Sequence, residues 1–189
     1  MRPPSPIQDY VVAFAKRVAP RSNTAPFYVS CRPLQGVPYG ECFPVVDSHA
    51  RRYGGKVGLG WAIWERPGVF IEAEFHAVWV VSGTQILDIA PRPYDIPRIL
   101  FLPDVHRLYE GVQVDNVREA LVDDPDVKRF LYLAAERFNV TNEGELKKKH
   151  GTIENTPQLV AIDEEMIATE CKLIERYGWW LPEDAGGTN

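Results

Sequence analysis

Apolar residues change their spacing twice along this chain. Near the N-terminus, Ile7, Tyr10, Val11, Phe14 and Val18 recur at three- and four-residue intervals, which puts them on one face of an α-helix. Ser5-Pro6 supplies a start signal for it and Pro20 a stop. Residues 20–41 carry Pro, Gly and Asn at short intervals and read as loop, with an extended piece at Phe27–Ser30. A second helix is predicted from Pro44 to Tyr53, closed by Gly54-Gly55. Cys42 then falls at or just before its N-terminus.

From Lys56 to Ala90 the spacing becomes two. Val57, Leu59, Trp61 and Ile63 alternate with smaller residues, and Val69 to Val81 is rich in β-branched and aromatic side chains. Arg66-Pro67-Gly68 and Ser82-Gly83-Thr84 are turns, so 57–65, 69–81 and 85–90 form an antiparallel meander. After a proline-rich connector, Arg98–Leu102 is a further candidate strand. The chain then turns helical. Asp124-Pro125 opens a helix to about Phe138, with Val127, Phe130, Leu131, Ala134 and Phe138 on one face. Asp163 caps another to about Tyr177, ended by Gly178, on which Cys171, Ile167 and Ile174 read as a core-facing group. Residues 139–162 are polar and receive no element, and Asp184 to Asn189 reads as a frayed tail. The predicted fold class is α+β: a helix with a cysteine at its N-terminus packed on an antiparallel sheet, followed by further helices. Residues 1–110 form the expected core and 111–189 a C-terminal helical extension packed on it.

A chain of 189 residues suits one domain, with room for an appendage. With 45% hydrophobic and 25% charged residues it has the balance of a globular protein, which excludes wholesale disorder. Charged residues and prolines interrupt every apolar run well short of the roughly 20 residues of a membrane span. The opening MRPPSPIQDY lacks the apolar centre of a signal peptide, so a cytoplasmic location is expected. A net charge of −5 argues against general binding to nucleic-acid phosphates. Cys31, Cys42 and Cys171 are odd in number and contain no CxxC pair, which fits neither a disulfide framework nor a thiolate zinc cluster.

Three residues carry the candidate chemistry. Cys42 follows the glycine-punctuated run Gln35-Gly36-Val37-Pro38-Tyr39-Gly40-Glu41 and opens a helix. There, unpaired N–H groups and the positive end of the helix dipole favour the thiolate. The bland alternative is a small buried apolar residue. His76 lies inside an apolar strand, where it is costly to bury without partners; otherwise it sits on a solvated face with Glu72 and Glu74. Asp88 interrupts the Ile/Leu strand Gln85–Ala90. A turn centred on Ser82 would set His76 opposite Asp88. A turn centred on Gly83 would make them diagonal neighbours on one face, and a two-residue loop without a bulge would separate them.

The order Cys42, His76, Asp88, with the cysteine on a helix start and the other two on adjacent strands, resembles the papain and transglutaminase superfamily of cysteine-nucleophile enzymes. The resemblance covers residues 35–91. It implies that Cys42 attacks an acyl carbon, His76 moves the proton and Asp88 orients the imidazole. Gln35, or the Cys42 backbone N–H, would stabilise the oxyanion. The usual papain pattern after the thiol is absent from Glu41-Cys42-Phe43-Pro44, and an aspartate stands where papains carry asparagine, which leans toward transglutaminase-like and acyltransferase-like branches. The expected substrate is a protein, a peptide or a small amide, with no cofactor, metal, nucleic acid or membrane involved. Two other readings are a metal site built from Glu72, Glu74, His76 and Asp88, and a non-catalytic interaction domain on the same fold. Trp61, Trp64 and Trp79 are expected to pack the sheet, His49 to lie at the surface, and Cys31 to be a free thiol near a loop.

Overall fold

The computed structural model describes residues 1–148 and 154–178. Six strands are present among them: β1 (Phe27–Cys31), β2 (Lys56–Arg66), β3 (Phe70–Val80), β4 (Ile86–Asp88), β5 (Arg98–Pro103) and β6 (Val117–Ala120). Four α-helices accompany them: α1 (Asp9–Val18), α2 (Cys42–Tyr53), α3 (Pro125–Thr141) and α4 (Pro157–Tyr177). The strand order is β2-β5-β1-β4-β3-β6, and β2 also pairs with β3, so the sheet closes into a barrel with β6 added beside β3. The class is α+β, as the change of spacing at Lys56 implies. One pairing departs from the antiparallel expectation: β1 runs parallel to β4, with Cys31 beside Asp88.

Strand alternation sorts the apolar residues. Val29, Ala62, Trp64, Val78, Ile99 and Phe101 come from four strands and meet in the barrel interior. Trp61, Ile63, Ile71, Ala73, Phe75, Leu100 and Leu102 point outward, where Val11, Phe14 and Ala15 of α1 cover them. Val45 and Val46 of α2 cover Ala77 and Ile89. Val127 of α3 and Leu173 of α4 bury Val69 and Phe70. Trp61 and Trp64 pack the sheet as expected, and Trp79 is partly buried.

Several boundaries differ from the sequence reading. The first helix starts at Asp9, because residues 1–8 are drawn to the barrel: Arg2 and Glu65 exchange backbone hydrogen bonds of 3.1 and 2.8 Å, and Tyr28 Oη donates to the Pro4 carbonyl. The strand expected over 85–90 ends at Asp88. Beyond it, the Asp88 and Ile89 carbonyls accept from Arg32 and Leu34, and the Asp88 side chain takes the Ala90 N–H. β6 was not anticipated, since Val-Arg-Glu-Ala shows no clear alternation. α4 begins at Pro157 with Thr156 as its cap, and Asp163 instead pairs with Arg137 of α3. That longer helix turns Leu159, Thr169 and Leu173 inward, so Cys171 and Ile167 are exposed and do not form core. His49 is not a free surface residue: its ring packs edge-on against Trp79 at 4.4 Å. His150 and the tail Asp184–Asn189 lie outside the described residues.

Candidate active site

β3 has one continuous edge and one interrupted edge. Along the first, β2 pairs with every residue from Phe70 to Val80. Along the other, β6 takes Phe70–Ala73 and β4 takes Trp79 and Val80. Residues 74–78 have no registered ladder partner there, and the N-terminus of α2 packs beside that stretch. α2 starts at Cys42 because Pro44 suits a first turn, and Gly54, at φ 83°, ends it with an N–H to the Ala50 carbonyl. No side chain caps the start of α2.

The β3–β4 register pairs Trp79 with Leu87 and Val80 with Ile86. Continued by one step, it sets Asp88 opposite Val78, so Asp88 and His76 are diagonal neighbours on the interior face. This is the outcome of a turn centred on Gly83. His76 Nε2 lies 3.0 Å from Asp88 Oδ1, and both residues are 1% exposed. Asp88 Oδ1 also accepts from the Ala90 N–H at 3.2 Å. On its other oxygen the guanidinium of Arg92 donates from Nη2 at 3.0 Å, and the Cys31 thiol stands 3.9 Å away. Four groups thus contact the buried carboxylate.

Alternation sends His76 into the barrel and Ala77 outward, and Cys42 packs on the Ala77 side. The thiol and the imidazole therefore meet around the interrupted edge of β3 and do not share a face. Electrostatically, Cys42 acts on the ring and favours its charged form. With Nε2 occupied by Asp88, Nδ1 is the nitrogen left for it. Nδ1 itself is buried without a hydrogen-bond partner among the described residues.

Burial alone would make His76 a weaker base, but the Asp88 carboxylate and then Cys42 outweigh it and push its titration up to about 10. Burial alone would likewise raise Asp88, yet His76 and then Arg92 hold it down to about 2. At neutral pH the pair is an imidazolium and a carboxylate. Cys31 goes the other way, pushed up to about 12 by burial and by the Asp88 charge, so it stays a thiol. It is a weak donor to the carboxylate and a poor nucleophile.

Cys42 lines one end of a cleft of about 940 Å³ that runs between the barrel and α3. Phe43, Phe75, Tyr109, Phe130 and Phe138 line it together with Glu41, Glu72, Glu74, Asp115, Arg118 and Arg137. The Phe43 and Tyr109 rings stack at 3.8 Å beside the cysteine. Gln35 is not among the lining residues. It is exposed in a turn and borders a smaller pocket of about 300 Å³ with Arg92 and Tyr94. The oxyanion role expected from its offset along the chain would place it beside Cys42, and it lies outside the cleft that Cys42 lines. The metal reading also loses its ligands. Glu72 pairs with Arg118 at 3.3 Å, Glu74 accepts from Trp64 Nε1 at 3.0 Å, and no cluster among the described residues is arranged to hold a metal ion.

Arg92 and the Cys31 contact were missed by sequence reasoning. A signal for the first was present: Arg92 stands four residues after Asp88, held between Pro91 and Pro93. Compared with known proteins, the chain matches no family model, no curated protein and no solved structure.

Proposed function

We propose that this protein is a cysteine-nucleophile acyl-transfer enzyme of the papain and transglutaminase-like kind, acting through Cys42, His76 and Asp88. The observation that carries the reading is the buried, hydrogen-bonded His76–Asp88 pair, with Cys42 at the start of an uncapped helix as its remaining neighbour across the open edge of β3. A histidine this deeply buried is expensive unless its charge is used or fully paired. The nucleophilic form of Cys42 is the thiolate, set beside the His76 imidazolium. The thiolate attacks the acyl carbon, and its new C–S bond leaves an oxyanion that the Cys42 backbone N–H stabilises. Collapse breaks the bond to the leaving amine, which takes its proton from His76. Water or a second amine then attacks the thioester, gives its proton to His76, and releases the acid or new amide together with the thiolate.

The cleft suits a peptide, a protein segment or a small amide whose acyl side carries apolar or aromatic groups. Three unpaired thiols suit a reducing compartment such as the cytoplasm. Among the described residues, no helix is long and apolar enough to cross a membrane.

Peptidyl vinyl sulfones with aromatic or aliphatic side chains test the reading, with the adduct located by mass spectrometry. Cys42 should be the modified residue, and the rate should fall at least ~100-fold in His76→Ala, because nucleophile and base act as a unit. Asp88→Asn should cost less than His76→Ala. Modification that is indifferent to His76 would leave Cys42 a packing residue and favour an interaction domain on this fold.

A further inference from the structure

Among the described residues, Arg92 is the strong cation set against the proposed acid–base pair, and the acyl-transfer reading gives it no role. Its Nη2 stands 3.0 Å from Asp88 Oδ2 and 3.3 Å from His76 Nε2, so two N–H groups converge on a single carboxylate. Its Nη1 lies 3.7 Å from Glu74, and its guanidinium sits 4.7 Å over the Trp64 ring. The side chain is 15% exposed and is presented from between two prolines, which limits how far its backbone can move. A fork held by a carboxylate on each side and an aromatic plane beneath is locked in place.

Such a fixed charge has two effects on its neighbours. It anchors Asp88 by the oxygen that His76 does not use, so the carboxylate cannot rotate away from the imidazole. It also repels the proton on the adjacent Nε2, because a nearby like charge disfavours the charged form. An aspartate beside a buried imidazole strengthens the ring's hold on its proton, and a neighbouring cation weakens it. We propose that Arg92 is a positioning residue of the acyl-transfer centre, which pins Asp88 and keeps the His76 imidazolium acidic enough to protonate the leaving group. This rests on the acyl-transfer reading of Cys42 and His76. The charged and titratable groups around the ring are Asp88 from β4, Arg92 just beyond it, Cys42 from α2, Glu74 from β3 and Cys31 from β1. Of these, Arg92 is the permanently charged cation.

The sign of the expected change does not depend on the dielectric assumed. Removing a fixed positive charge makes protonation easier at every neighbouring group. The ring nitrogens of His76, assigned by comparison with His76→Gln, can be followed by 15N NMR against pH in the full chain. In Arg92→Met the His76 midpoint should rise by about one unit or more. In Arg92→Lys, which keeps the charge, it should stay within a few tenths of the parent. Should the Met variant fail to fold, Arg92→Gln keeps a donor for Asp88 without the charge and should move the midpoint the same way. Iodoacetamide labelling of Cys42 runs in parallel. If its rate in the parent is insensitive to His76→Gln, the acyl-transfer reading itself fails. If it depends on His76 but the uncharged Arg92 variants leave the His76 midpoint where it was, Arg92 is only a structural ion pair and this proposal is overturned.

Discussion

Replacing Asp88 by asparagine separates the charge of the buried pair from its shape. The parent side chain is 1% exposed and accepts from His76, the Ala90 N–H and Arg92. Asparagine keeps one acceptor for His76 or Ala90 but turns an amide toward donors. Removing one partner from a buried ion pair costs about 3–5 kcal/mol. The pH dependence identifies the cause. In the folded parent His76 holds its proton up to about 10, whereas an unfolded histidine loses it near ~6.5. Between those values the native state binds one more proton than the unfolded state, so this group's stabilisation is complete below ~6.5 and falls by about 1.4 kcal/mol per pH unit above it. Without the Asp88 charge, burial favours the neutral ring and that slope disappears. Urea unfolding of parent and Asp88→Asn at half-unit intervals from pH 6 to 9.5 measures the difference directly. It should be about 3–5 kcal/mol at pH 6 and shrink steadily toward pH 9.5. A difference that stays constant with pH would refute the imidazolium–carboxylate assignment, and one below ~1 kcal/mol at pH 6 would refute the pairing itself.

Two further outcomes follow from the fold. Gly60→Ala should destabilise by at least the roughly 1–3 kcal/mol of ordinary overpacking, since a Cβ there would stand 2.2 Å from the Leu102 carbonyl oxygen and backbone cannot yield as a side chain can; thermal unfolding reads it. Cys171 is exposed and Cys31 is held as a thiol, so Ellman's reagent at pH 7 should find Cys171 ahead of Cys31, and Cys171→Ser should remove that phase while leaving stability within about 0.5 kcal/mol.

The elements read most securely from sequence are those whose order is local. β2 and β3 fall within a residue of their expected ends, because each alternates between the barrel interior and a helix-covered face, and Gly68 makes the turn between them. The His76–Asp88 contact was accessible for the same reason, since hairpin register is local arithmetic. Non-local pairings were not. The parallel β1–β4 contact, which brings Cys31 to Asp88, joins segments more than fifty residues apart. The start of α4 was misplaced because Asp163 and Thr156-Pro157 both carry helix-start chemistry and only tertiary packing decides between them. Gln35 was chosen by its distance from Cys42 along the chain, and a glycine-rich loop does not transmit direction. That Cys42 meets His76 around a strand edge depends on where β4 and β6 leave β3, which no local pattern encodes.

The interrupted edge of β3 also bears on how this protein fails. An unpaired strand edge is a template for other chains, and proteins usually blunt it with charge, proline or a cover. Here the exposed stretch would be Glu74-Phe75-His76-Ala77-Val78, with Glu74 its one acidic residue, and the cover is the first turn of α2. Val46 of α2 is fully buried in that contact. Substitutions that loosen it, such as Val46→Ala, uncover backbone donors and acceptors in an apolar strand while the rest of the barrel is still formed. Concentration-dependent self-association should then precede loss of secondary structure on heating. The place where the proposed nucleophile reaches its base is thus also where the sheet is most open to pairing with another copy of itself.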